Sequence, residues 1–95
     1  MEVSFSKDAI KVLEKLSEKE TEKIRDKIAY WLNCIEETGL IPFNELDIKN
    51  LKGDWKGFLR MRVGNLRIIF QINLQADELQ IYAIDFRGNV YKQLG

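Results

Sequence analysis

The chain has 95 residues, fifteen basic and fifteen acidic side chains, no histidine and one cysteine. That length suits one domain spanning residues 1–95 with a modest core, and 45% hydrophobic residues argue against disorder. Internal disulfides, Cys/His metal sites and the commonest general acid or base near neutral pH are excluded, and no run reaches the roughly 18 apolar residues of a membrane span.

The N-terminus lacks a basic-then-apolar signal, so a cytoplasmic protein is expected. Zero net charge conceals an asymmetry. Residues 1–51 carry eight basic and eleven acidic side chains, residues 52–95 seven and four. Between Lys52 and Gln71 five positive charges face Asp54 alone. Such segregation points to a local anion-binding face.

In chain order, Val3 and Phe5 alternate with polar neighbours and read as a short strand. Ser6 is positioned to cap a first helix that carries Ala9, Val12, Leu13 and Leu16 on one face. Ser17-Glu-Lys-Glu20 is a capping-box pattern that ends this helix and begins another. The second helix sets Ile24, Ile28, Trp31, Leu32 and Ile35 at helical spacing, with Gly39 as its C-cap and Pro42 beyond. Cys34, at the edge of that stripe, reads as an inert core thiol. Residues 40–57 read as an irregular connection pinned by Leu46, Ile48 and Leu51. Trp55 and Phe58 read as packing, with a stacking surface as the alternative.

Strict alternation then flanks Gly64-Asn65 in Phe58-Leu-Arg-Met-Arg-Val-Gly-Asn-Leu-Arg-Ile-Ile-Phe70, a β-hairpin with a II′-type turn. The register sets Val63 opposite Leu66, Arg62 opposite Arg67, Met61 opposite Ile68, Arg60 opposite Ile69 and Leu59 opposite Phe70. All three arginines share one face, and Arg62 opposite Arg67 is an electrostatic cost. Such a face is either solvated or meets an anion, and the planar guanidinium fork suits phosphate. After a turn at Gln75-Ala-Asp-Glu78 a third strand runs from Leu79 to Phe86. Leu79, Ile81 and Ala83 are expected to continue the apolar face of Ile68, Phe70 and Ile72. Ile69, Tyr82, Ile84 and Phe86 are expected on the arginine face. The layout is β-α-α-β-β-β, an α+β fold of two layers, with an N-terminal strand and helical hairpin packed on a mainly antiparallel sheet.

This order of elements, with Leu51-Lys-Gly53, Arg60-Met-Arg-Val-Gly-Asn-Leu-Arg67 and Arg87-Gly-Asn-Val-Tyr-Lys92, resembles the RelE/ParE superfamily of toxins from type II toxin–antitoxin pairs. The resemblance covers nearly the whole chain. It implies a cognate antitoxin as partner and a RelE-like fold. In the RelE branch it further implies metal-free, cofactor-free cleavage of mRNA on the ribosome, leaving a 2′,3′-cyclic phosphate. Carried over by position, Arg60, Arg67, Arg87 and Tyr91 are the catalytic candidates. Arg67 and Arg87 would stabilise the transition-state charge, and Arg60 and Arg62 would steer the phosphate. Tyr91 would stack on a base or exchange a proton. Arg62, Lys52, Lys56 and Lys92 are the phosphate-binding candidates. Arg87 and Tyr91 read equally as residues that tie down the C-terminus. Phe58 stands where such nucleases often carry lysine, and Phe86 where many carry histidine, so no general base is obvious. The alternatives are a ParE-like inhibitor of DNA gyrase and a catalytically silent relative that retains antitoxin binding.

Overall fold

The computed structural model describes residues 1–86, so Arg87, Tyr91 and Lys92 lie outside the described residues. Strand β1 (Glu2–Phe5) leads into helices α1 (Lys7–Lys15) and α2 (Glu18–Thr38). Strands β2 (Ile48–Asn50), β3 (Leu59–Val63), β4 (Leu66–Asn73) and β5 (Glu78–Phe86) follow, with a 3-10 turn at Gly53–Trp55. The sheet order is β1-β5-β4-β3-β2, antiparallel throughout except for the parallel pair β1 and β5. No described helix is long and apolar enough to cross a membrane.

Local chemistry explains the helix boundaries. The Ser6 side chain accepts the Ala9 N–H, and Ser17 with Glu20 closes a reciprocal capping box. These caps satisfy amide donors that the first turns leave open. Gly39 ends α2 in the left-handed region at φ 73°, donating its N–H to the Ile35 carbonyl. Helix α2 turns Ile24, Ile28 and Trp31 inward, where Trp31 meets Phe70 edge-to-face at 4.1 Å between ring centres. Such a ring pair adds about 0.5–1.5 kcal/mol beyond its burial. Met61, Ile68, Leu79 and Ile81 from three neighbouring strands complete the layer beneath the helices.

The hairpin has the expected register, with all five cross-strand pairs as given above. Gly64 has φ 59° while Asn65 is not among the residues with positive φ, as a II′ turn requires. Two features differ from expectation. The connection after α2 is not wholly irregular, because Ile48–Asn50 pairs with Leu59–Met61 as the edge strand β2. Ile48 at this edge is 3% exposed, so burial of its side chain holds a strand too short to read from periodicity.

The second difference lies in β5. Ile69 pairs with Ala83 but Phe70 pairs with Ile81, so Tyr82 is an extra residue in a β-bulge. One extra residue inverts the parity of everything after it. Ala83 therefore lies with Ile69 on the outer face, and Ile84 lies in the main core beneath the helices, the reverse of the alternation expected. By the same shift Phe86 pairs with the core residue Leu66 rather than sharing the arginine face.

Any side chain at position 64 must adopt the left-handed backbone, although no atom lies within 4 Å of where its Cβ would sit. Gly64→Ala is expected to destabilise the domain by about 1–2 kcal/mol through backbone strain alone. A lower urea midpoint with an unchanged m-value would register this.

Candidate anion-binding site

The outer face of the sheet, away from the helices, is built in rows. One row crosses four strands as Lys49, Arg60, Ile69 and Ala83. The next, nearer the hairpin turn, is Arg62, Arg67 and Asp85. Arg62 and Arg67 stand one step from the turn-closing pair, where antiparallel side chains approach most closely. The Arg62 amide accordingly points away from β4 and donates to the Asp47 carbonyl at 3.3 Å.

Two carboxylates that the sequence reading did not single out serve these arginines. Asp47, at φ 51° just before β2, reaches both members of β3. Its Oδ1 lies 3.5 Å from Arg60 Nη1, and its Oδ2 lies 3.7 Å from Arg62 Nε. Asp85 is the register partner of Arg67 on β5 and reaches the outer face because of the bulge. Regular alternation through β5 would have put it on the helical side. The like-charge pair at the centre of the hairpin is thus flanked by one carboxylate on each side, which offsets the repulsion.

The three arginines are not equivalent. Arg60 is 5% exposed, lies between Lys49 and Ile69, and gives Nη1 to both the carbonyl and the carboxylate of Asp47. Its guanidinium anchors the loop that enters β2. Arg62 has 40% of its side chain exposed, and Arg67 is half-buried. Lys52 and Lys56 bracket the 3-10 turn and are exposed. This turn runs over the outer face, where Gly57 passes above the Gln71 side chain. The site thus combines Arg62 and Arg67 at a rim, Arg60 below it, and two lysines on an adjoining loop. That set can hold an anion with several oxygens. Among the described residues no group of three or more acidic or thiol side chains is placed to hold a metal ion.

Spacing alone cannot reveal Asp47, whose contact with β3 comes from β2 pairing, nor Asp85, whose facing depends on the bulge. Sequence alternation did place Tyr82 on the arginine face, where its side chain is 46% exposed.

No protein-family model matches the sequence, and no curated protein matches it significantly. Solved structures do resemble it. A chain of the RelB–RelE antitoxin–toxin complex from Methanococcus jannaschii has 26% identity and a TM-score of 0.63, covering 92% of this chain and 93% of that one. The archaeal RelE–RelB complex from Pyrococcus horikoshii OT3 gives 22% identity and a TM-score of 0.66, over 94% and 97% of the two chains. The YoeB/ParE toxin from Agrobacterium tumefaciens gives 22% and 0.71, over 92% and 99%.

Asp47 competes with any external anion for Arg60 and Arg62. Asp47→Asn keeps a residue tolerant of positive φ while removing the charge. It is expected to change stability by no more than about 1 kcal/mol, because the carboxylate is half exposed. Binding of a labelled polyphosphate should strengthen several-fold at low salt. Unchanged or weaker binding by fluorescence anisotropy would show that Asp47 does not occupy the anion's place.

Proposed function

We propose that the chain, which has the fold of the RelE and YoeB/ParE toxin structures, is a RelE/ParE-superfamily member and the toxin of a type II toxin–antitoxin pair. Its partner is a cognate antitoxin, in keeping with the RelB–RelE complexes it resembles. Its action is ribosome-dependent cleavage of mRNA. The observation that carries this reading is the Arg62–Arg67 pair at the rim of the outer face, with Arg60 beneath and lysines alongside.

In this chemistry the ribose 2′-oxygen attacks the adjacent phosphorus and loses its proton. The bond to the 5′-oxygen breaks, that oxygen gains a proton, and a 2′,3′-cyclic phosphate remains. Negative charge gathers on the non-bridging oxygens in the transition state. Donors already in place there are worth about 3–4 kcal/mol each when removed singly. Arg67 and Arg62 are assigned to those oxygens, and Arg60, held against Asp47, to keeping β3 and the loop in position. Arg87 and Tyr91 complete the proposal from the sequence resemblance, with Arg87 as a further charge donor and Tyr91 as a proton carrier or base-stacking ring. Lys52, Lys56 and Lys92 would steer the strand through long-range attraction.

The second reading, inhibition of DNA gyrase without nuclease chemistry, is favoured by one feature. Phe58, where related nucleases carry lysine, packs between two other rings and offers no charge.

Purified protein is expected to cut mRNA on programmed ribosomes. Arg62→Ala and Arg67→Ala should each slow cutting by about a hundredfold or more, with the melting temperature held within a few degrees. Arg87→Ala alone should lower the rate similarly. If the wild-type protein leaves ribosome-bound message intact and instead stalls supercoiling by gyrase, the gyrase reading replaces this one.

A further inference from the structure

A row of three aromatic rings lies beside the arginines on the outer face. Phe58 meets Trp55 edge-to-face at 5.6 Å between ring centres and meets Tyr82 in the same manner at 5.3 Å. The row is fixed by backbone bonds. Leu51 N–H donates to the Phe58 carbonyl and Phe58 N–H donates to the Trp55 carbonyl, both at 3.0 Å. These bonds fold residues 51–58 back over the sheet.

Core packing does not account for the two outer rings. Among the described residues, the buried hydrophobic side chains on this side of the sheet are Ile69 and Ala83, at 0% and 1% exposure. Leu51 and Phe58 are the hydrophobic side chains packed against them. Tyr82 remains 46% exposed, and Trp55 is half-buried. Tyr82 is also the extra residue of the bulge, which interrupts an otherwise regular ladder. Plain alternation from Ile81 already turns Tyr82 outward, and the bulge sets it next to Ala83, the β5 member of the row of Lys49, Arg60 and Ile69.

We propose that Trp55, Phe58 and Tyr82 form a base-stacking platform for single-stranded RNA, whose phosphates lie toward Arg62 and Arg67. The inference rests on the phosphate-binding reading of those arginines. It adds a second mode of recognition, because stacking is indifferent to charge and phosphate contact is indifferent to the base. Charge complementarity selects a nucleic acid strand as the occupant. Exposed Lys52 and Lys56 bracket Trp55, and Lys49 shares the arginine row. Phe58, wedged between the other two rings, holds them in place without itself needing to be open. Aromatic platforms beside basic grooves bind single strands in this manner, each stacked base contributing about 1–3 kcal/mol.

The test uses the full chain and two labelled octaribonucleotides, one of eight adenosines and one with abasic residues at its four central positions. Wild type should bind the adenosine strand about tenfold tighter or more, as stacking of one or two bases requires. Tyr82→Ala and Trp55→Ala should each shrink that preference while leaving the salt dependence of binding unchanged. Tyr82→Phe should retain it, which separates stacking from loss of the hydroxyl and from misfolding. Arg62→Ala should weaken both strands alike and flatten the salt dependence. Equal wild-type affinity for the two strands, with that arginine effect intact, would overturn the platform and spare the phosphate site. Salt-dependent binding that is unmoved by Arg62→Ala and Arg67→Ala would instead remove the phosphate site. If Tyr82 is buried by an antitoxin segment while RNA binding shows no base preference, the row is a protein-docking surface and the platform is overturned.

Discussion

One extra residue in β5 determines what both faces of the sheet carry. Up to Ile81 the strand alternates in step with β4, and beyond Tyr82 it alternates in the opposite sense. Ile84 thereby reaches the helical core, which would otherwise have a polar aspartate in the following position. Asp85 reaches the outer face as the register partner of Arg67, where Tyr82 already lies by plain alternation. A regular strand would bury Asp85 under the helices, where a carboxylate without a partner is costly. It would also leave Arg67 without its register partner. The bulge thus exchanges local ladder regularity for an apolar core and an outer face that carries Asp85 beside Arg67.

The arginine pair illustrates how such a surface stays folded before it meets a ligand. Two guanidinium groups facing each other across a hairpin repel, and solvent and salt screen them only in part. Asp47 and Asp85 flank the pair from β2 and β5, one on each side of the hairpin. The Asp47 contacts, at 3.5 and 3.7 Å and half exposed, are loose ion pairs rather than tight hydrogen bonds. Each adds little to stability. Their physical role is orientation, since they hold Arg60 and Arg62 at the two oxygens of one carboxylate.

Much of this was legible in the residues themselves. The helix boundaries follow from short-range rules, because Ser6, Ser17, Glu20 and Gly39 act within four residues of where they stand. The hairpin register follows from a two-residue turn and strict alternation, which leave a single way to pair Leu59–Val63 with Leu66–Phe70. What escaped depends on contacts between distant segments. Ile48–Asn50 is too brief to show a period, and it becomes a strand by pairing with β3. The bulge leaves no mark in a run of apolar residues from Ile81 to Ile84, where either parity looks acceptable. Asp47 and Asp85 escaped for the same reason, since their place beside the arginines is a property of the sheet.

The near-neutral charge of the chain bears on how such a site would work. A protein that binds nucleic acid through many bare cations gains affinity from counterion release, with a steep dependence on salt. Here the cations are concentrated on one face, and two carboxylates occupy part of their binding capacity. On the phosphate-binding proposal, an incoming phosphate would exchange with Asp47 rather than add to an empty pair of arginines. Affinity from charge alone is therefore modest, and the guanidinium groups need little rearrangement when the phosphate arrives. Binding strength must then come from elsewhere, either from bases stacked on the aromatic row or from a larger assembly that presents the strand. Both sources would confine tight binding to a strand whose bases and phosphates are offered together, a condition that a chain of zero net charge with its cations gathered on one face can meet.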